Sequence, residues 1–423
     1  MLEARHICRP TSIGITRHER RTIASKNAKL AADSSLTMPR LDDLVTLPAQ
    51  SIRNAAIDLL RGLAILLVVV HHIALRIPLK DGWLETFLPR SLLNAFVYNG
   101  YEAVFLFFVI SGFLITGNAL ERWGSLAAID LRAFYVRRGA RILPCLVLLM
   151  AVLSALHLIG VPYFTIEHEG QSLPGALLAV FALHLNWYEG MNGYLPGNWD
   201  VLWSLSIEEV FYLGFPLLCL LLRRQAVLLI ALCPLALSLP VTRAALASNE
   251  IWQEKAYLPG MAAIATGVIA ALIAHRLGAL GMRVRRGLCV LGILGIASNL
   301  LFGSLLWPLI GNGLMLVLTL SAGMLLVALH HERSPAPTGT QWLASMGRLS
   351  YEIYLTHMFV VFAAVALYRE AAADPWFGFL WYAPIVLSCW LLGALLAHAW
   401  SIPCDRALRT RWSGPAKATV TAS

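Results

Sequence analysis

The sequence predicts an all-α, polytopic membrane helix bundle of about ten transmembrane helices plus one short re-entrant or half-spanning segment. Three observations carry that reading. Of 423 residues, 58% are apolar and 13% charged, at a mean hydropathy of +0.68, whereas soluble domains carry about a quarter charged residues. The apolar residues fall in eleven separate runs, near 57–77, 98–119, 140–160, 174–187, 203–222, 226–240, 257–275, 287–302, 305–329, 350–368 and 380–401. The basic residues collect in short loops between those runs, the distribution that sets membrane topology. A net charge of +9 arranged in this way orients a chain in a bilayer and argues against a nucleic-acid partner.

Residues 1–52 are polar and basic and lack the apolar core of a cleavable signal peptide, so they are expected to form a disordered cytoplasmic tail. Arg17, Arg20, Arg21, Lys26 and Lys29 would alternatively make a membrane-surface patch, and Met38 offers another translation start. Residues 53–403 form the membrane domain and 404–423 a second cytoplasmic tail. Arg53, the Arg122–Arg141 loop, Arg223/Arg224, Arg276–Arg286, Arg333 and Arg406, Arg409 and Arg411 should all be cytoplasmic. Eleven full spans cannot satisfy that assignment. The short run 174–187, with His184 and Asn186, leads into a polar Gly-rich stretch (Glu189, Gly190, Asn192, Gly193, Gly197, Asn198) and is expected to stop half-way on the outer side. Its removal leaves ten spans in a cell inner membrane, with both termini cytoplasmic. The seven cysteines are scattered singly and suggest neither a disulfide frame nor a metal site.

Within 57–77, eleven positions separate Arg61 from His72. At about 100° per residue both lie on one helix face, roughly 16 Å apart. Charged and titratable groups in hydrocarbon turn toward a protein interior or a wet cavity. Asp58 precedes Arg61 by three residues, and His71 points about 100° away from His72. The run from Trp203 carries Ser204, Ser206, Glu208 and Glu209 within two turns, with Tyr212 a turn later. If the first span runs outward and this one inward, His72 and Glu208 fall at similar depth, and a carboxylate there would fix the imidazole tautomer of a general base. Ser204, four residues before Glu208, could orient the carboxylate. Mutual satisfaction of His72 and Glu208 inside a bundle is the alternative, against which two charged clusters at one depth argue for function. Arg137, Arg138 and Arg141 would be topological anchors on charge alone, but two forked guanidiniums one turn apart suit a phosphate or diphosphate. His357 reads as a cavity residue or as one satisfied structurally near Tyr351 or Tyr354.

At these residues the chain resembles the acyltransferase-3 family of bacterial multipass membrane O-acyltransferases. The resemblance rests on Ile57-Asp58-Leu59-Leu60-Arg61-Gly62-Leu63-Ala64 leading to His72, then Phe107-Phe108-Val109-Ile110-Ser111-Gly112-Phe113-Leu114. It continues through Arg137-Arg138-Gly139-Ala140-Arg141-Ile142-Leu143-Pro144, Trp203-Ser204-Leu205-Ser206-Ile207-Glu208-Glu209-Val210-Phe211-Tyr212 and Leu349-Ser350-Tyr351-Glu352-Ile353-Tyr354-Leu355-Thr356-His357. It implies that Arg61 and His72 are the family's essential Arg and His, that Arg138 and Arg141 are its Arg-x-x-Arg pair, and that Glu208 belongs to its Ser-x-x-x-Glu element. Val210 departs from the Gln that many members carry, and no fused hydrolase-like C-terminal domain is expected.

The activity expected is transfer of an acyl group, acetyl in the first place, from cytoplasmic acyl-CoA as donor substrate to a hydroxyl of a glycan, glycolipid or related envelope acceptor, with no permanently bound cofactor or metal. Arg138 and Arg141, flanked by Arg137, would hold CoA phosphates; Arg61 would line the path; His72 would act as general base or acyl relay; Glu208 would support it. Asp58, His71, Ser204, Ser206, Glu209, Tyr212 and His357 would surround them. A proton-coupled transporter using the same His/Glu/Arg cluster is the competing class, but no inverted repeat is visible. The charged cluster argues against a non-catalytic scaffold.

Overall fold

The structure is a computed structural model and describes residues 54–80, 82–332 and 334–412. The N-terminal tail over 1–52, together with Arg53 and Arg333, lies outside the described residues. Among the described residues the regular structure is helical. Eight helical stretches are long and apolar enough to cross a membrane. They are α1 (Ala55–Ala74), α3 (Gly100–Trp123), α4 (Leu131–Leu158), α8 (Trp203–Leu222, continued from Gly197), α12 (Tyr257–Leu277, continued from Glu250), α13 (Met282–Ile310), α16 (Ser350–Glu370) and the stretch Pro375–Trp412. The last contains α17 (Tyr382–Leu396), a π-turn Ala397–Ser401 and α18 (Ile402–Trp412), which packs against α4. A pair bent by 43°, α9 (Gln225–Leu237) and α10 (Leu239–Ala245), makes up to nine among the described residues, and α14 (Gly313–Leu329) is a shorter apolar helix. The bend follows from Pro234 and Pro240, each of which removes a backbone donor.

The run 174–187 crosses nothing. It forms α5 (Leu173–Phe181) and α6 (Leu185–Asn192), nine and eight residues long, broken where Leu183 takes a left-handed φ of 58°. Ser172 caps α5 with its side-chain oxygen, and Pro174 sits in its first turn, where no donor is needed. Two sequence expectations shift. The boundary between 287–302 and 305–329 is only a kink at Phe302 (φ −122°, ψ 15°); the chain reverses later, at Gly311 (φ 48°). The Arg122–Arg141 loop is also shorter than expected, because Asp130 accepts a hydrogen bond from Ala133 N and starts α4 there, so Arg137, Arg138 and Arg141 are helical.

Contacts fix the sense of each helix. Arg61 bonds Ser350 and, further along, the His72 ring packs on His357, so α1 and α16 run in parallel. Ser204 meets Tyr354 while Tyr212 meets Ser111, so α8 runs opposite to them. The short helix α15 (Gln341–Arg348) lies on α1 with almost no gap: a Cβ on Gly62 would strike the Leu343 carbonyl, and one on Gly347 the Asp58 carbonyl. Small residues at such crossings let backbones approach in a bilayer, where no hydrophobic drive separates helix from lipid. That contact sets the depth of Arg61.

Candidate active site

A cavity of about 930 Å³ opens among α1, α3, α4, α8 and α16. Helical spacing delivers its walls. Ser204, Glu208 and Tyr212 recur every four residues and all face it, as do Arg138 and Arg141, Asp58 and Arg61, and Ser350 and Tyr354. Arg122, Arg137 and Arg409 bring further positive charge to the same cavity.

Inside it the Tyr212 hydroxyl donates to Glu208 Oε2 at 3.3 Å and receives a hydrogen bond from the Ser111 hydroxyl. Arg138 lies 3.9 Å from the centre of the Tyr212 ring and, with Arg61, acts electrostatically on Glu208. Arg141 stands over Tyr351 at 5.9 Å, whose hydroxyl donates to the Ile142 carbonyl at 2.9 Å. Arg61 Nη2 donates to Ser350 Oγ at 2.7 Å. Aromatic faces thus position the Arg138 and Arg141 guanidiniums and leave N–H groups for a ligand; among the described residues neither forms an ion pair. Glu209 and Arg137 each keep a buried atom, Oε1 and Nε, without a hydrogen-bond partner, and Ser206 is buried.

The expected pairing of His72 with Glu208 does not form. The His72 ring packs 5.1 Å from that of His357 and 5.4 Å from His71, and its Nδ1 is buried without a partner. The reason is depth: Ser204, not Glu208, reaches Tyr354, three residues before His357, so Glu208 sits about 6 Å further toward the arginine-rich end. His357 is fully buried, and its Nδ1 lies 2.8 Å from the Tyr354 carbonyl. A carbonyl only accepts, so Nδ1 carries the proton and Nε2, itself without a partner, is the lone pair. His71 turns away, packing on Gly100 and edge-on to Tyr98. Between cavity and histidines stands Tyr354, whose hydroxyl donates to the Val201 carbonyl at 2.8 Å and receives a bond from Ser204 at 2.8 Å.

Sequence reasoning passed over Ser111, Ser350 and Tyr354 as site residues. Ser111 had a signal, being the one polar side chain in the run Phe107–Leu114. Ser350 and Tyr354 had none beyond helical spacing, because their partners lie on α1 and α8. Among the described residues no group of three His, Cys, Asp or Glu side chains is placed to hold a metal ion.

The profile of the acyltransferase-3 family, described as an acyltransferase domain, matches residues 54–398. The chain is 31% identical over 166 residues to the O-acetyltransferase OatA of Staphylococcus aureus, covering 38% of this chain and 24% of that protein. It is 30% identical over 170 residues to the peptidoglycan O-acetyltransferase OatA of Listeria monocytogenes, covering 38% and 23%. The matched part therefore spans about a quarter of each relative's length. No solved structure matches. A family match over most of the described bundle, with the family's blocks gathered round one cavity, makes this a multi-pass membrane protein that belongs to the acyltransferase-3 family.

Proposed function

We propose that the protein is an O-acyltransferase that moves an acyl group, acetyl in the first place, from cytoplasmic acyl-CoA to a hydroxyl of a glycan, glycolipid or related envelope acceptor. The observation that carries this reading is the cavity itself: Arg138, Arg141 and Arg61 line it together, and it ends at Tyr354, which packs against His357 beside His72. The guanidiniums hold the phosphates of CoA at one end, and the thioester points up the cavity. The Tyr354–Ser204 bond must shift for the acyl group to reach His72. His72 then takes the proton of the acceptor hydroxyl as its oxygen attacks the thioester carbonyl; the C–S bond breaks, the proton held on His72 passes to the departing sulfur, and CoA leaves as the thiol with His72 neutral again.

His357 supplies the support first expected of Glu208. Rings 5.1 Å apart allow inward-turned nitrogens to reach about 3 Å, the length of an N–H···N bond. His357 Nε2 can only accept, so a turn of the His72 ring places its proton on Nδ1 and leaves Nε2 as the base. Glu208, bonded by Tyr212 and through it linked to Ser111, balances Arg138 and Arg61 and keeps the donor cavity from being uniformly positive.

Labelled acetyl-CoA tests this directly in membrane vesicles: label should pass to a membrane or glycan fraction, and its failure to leave acetyl-CoA would overturn the reading. Arg138→Ala and Arg141→Ala should each weaken acyl-CoA binding about tenfold or more, since a charge-assisted contact to phosphate contributes about 1.5–3 kcal/mol. Lysine should rescue part of the loss, keeping charge without the fork. Unchanged CoA affinity in the double alanine variant, with altered orientation in the membrane, would return the pair to topological anchoring.

With the shorter apolar helix α14 counted as a crossing, ten traverses leave both termini on the arginine-rich side, which we assign to the cytoplasm of a cell inner membrane. In a background without native cysteines, Met191→Cys, exposed in the last turn of α6, should react with an impermeant maleimide added to intact cells. Arg286→Cys, at the start of α13, should not. Labelling of Arg286→Cys from outside would invert the assignment.

A further inference from the structure

A second cavity, of about 310 Å³, lies at the opposite end of the bundle between α2 (Arg90–Val97), α3, α13 and α14. It is large enough for about ten waters, and polar side chains stand in its walls beside α13, otherwise the least covered spanning helix, with 17% of its apolar window buried. Those walls are rich in acceptors. Asn99 Nδ2 donates to the Leu300 carbonyl at 2.9 Å and Asn299 Nδ2 to the Leu314 carbonyl at 2.6 Å, which leaves each amide its oxygen. Glu102 adds a carboxylate and Ser304 a hydroxyl, while Trp307 offers an aromatic face. Among the described residues that line it, the cation is Arg243, which donates to Asn312 at 3.2 Å and to Tyr101. A phosphate would meet acceptors here; a ring of hydroxyl donors would meet partners.

The cavity also reaches toward the histidines. Tyr98 lines it on one side and packs edge-on against His71 on the other, at 6.3 Å between ring centres, next to His72. The two cavities thus approach the histidine pair from opposite ends. On its outer face α13 carries Phe302 and Leu305, exposed beside the cavity lining, where an acyl or prenyl chain can lie.

We propose that this cavity binds the uncharged sugar headgroup of a membrane-embedded glycolipid, the acceptor of the transfer proposed above, on which reading this inference rests. Glu102 and the two asparagine oxygens take the sugar hydroxyls, Trp307 covers the ring, and the lipid tail runs along α13 outside the bundle.

Tritiated octyl β-glucoside, below its micelle concentration, is the probe, added to the full chain in lipid nanodiscs. It should bind saturably and be displaced by unlabelled octyl glucoside far better than by glucose or octyl phosphate. Ser304→Phe, which fills the cavity, and Glu102→Gln, which keeps its shape, should each lower that affinity about tenfold, the scale of a lost hydrogen bond to a charged group. Acetyl-CoA binding should be unchanged in both. No saturable binding, unaltered affinity in both variants, or equal competition by octyl phosphate overturns the proposal. Glucose competing as well as octyl glucoside overturns its lipid-anchored part. Glycoside binding without acetyl-CoA binding would instead defeat the acyltransferase reading and leave the sugar site standing.

Discussion

His72→Ala should lower the rate of acyl transfer by about 10² to 10⁴, the range lost with a general base. Acyl-CoA affinity should stay near wild type, because His72 lies beyond the donor cavity and touches His357 and His71 instead. The protein should still insert and accumulate. His357→Ala should cost less, since it acts through His72, and its loss should appear in kcat and not in the KM for acyl-CoA. His71→Ala should be milder again, because that ring packs on Gly100 and Tyr98. Near-normal turnover in purified His72→Ala would remove it from the chemistry. Acid-quenched wild-type enzyme separates base from relay: acyl label retained on protein and lost in His72→Ala marks a covalent acyl-imidazole, and its absence leaves proton transfer.

Lys255→Ala should destabilise the bundle by about 3–5 kcal/mol, the cost of leaving buried charge without its partner. Lys255 is 3% exposed at the end of α11 (Glu250–Lys255). Its Nζ lies 2.9 Å from Glu189 Oε2, bonds Asp200 as well, and sits 4.4 Å from the centre of the Tyr194 ring. Glu189 in turn accepts from Leu195 N at 3.1 Å, and Asn186 donates to the Lys255 carbonyl. One ammonium therefore ties the half-spanning segment to the entrances of α8 and α12. Burial, and then Asp200 beside it, pushes the Glu189 carboxyl well above the usual carboxylate range, with Lys255 opposing. Without Lys255 that upward shift is unopposed, so ionising Glu189 works against the fold. The loss should be largest at neutral pH and above, and should shrink as pH falls toward the unfolded carboxyl value near 4.3. Thermal unfolding followed by labelling of the buried thiols Cys145, Cys219 and Cys389 reads the effect. A midpoint equal to wild type at neutral pH would show that the carboxylates find solvent or another cation.

Much of this was legible in the chain. Long apolar runs can satisfy their backbone in lipid only as helices, so the type of element followed from composition, and the excess of Lys and Arg in alternate loops called for an even number of crossings. The same arithmetic exposed 174–187 as a half-span, which the structure breaks at Leu183. Three- and four-residue spacing put Ser204, Glu208 and Tyr212 on one face, and Arg138 with Arg141 on another, and all five do line one cavity. Helix ends read less well. The runs 287–302 and 305–329 part at 303–304, but the chain only kinks at Phe302 and reverses at Gly311, where φ is positive.

What the sequence by itself determined is therefore the membrane class, the order of the helices and the face on which each reactive side chain sits, because periodicity is a property of one helix and needs no neighbour. The tertiary structure alone decided which faces meet at which depth. Gly62 and Gly347 let α15 lie flush on α1, Arg61 is held by Ser350, and α8 enters with Ser204 and not Glu208 opposite Tyr354. An axial offset of one turn, about 5.4 Å, is invisible to a pattern that repeats every turn. That offset gives Glu208 to the arginines and His72 to His357.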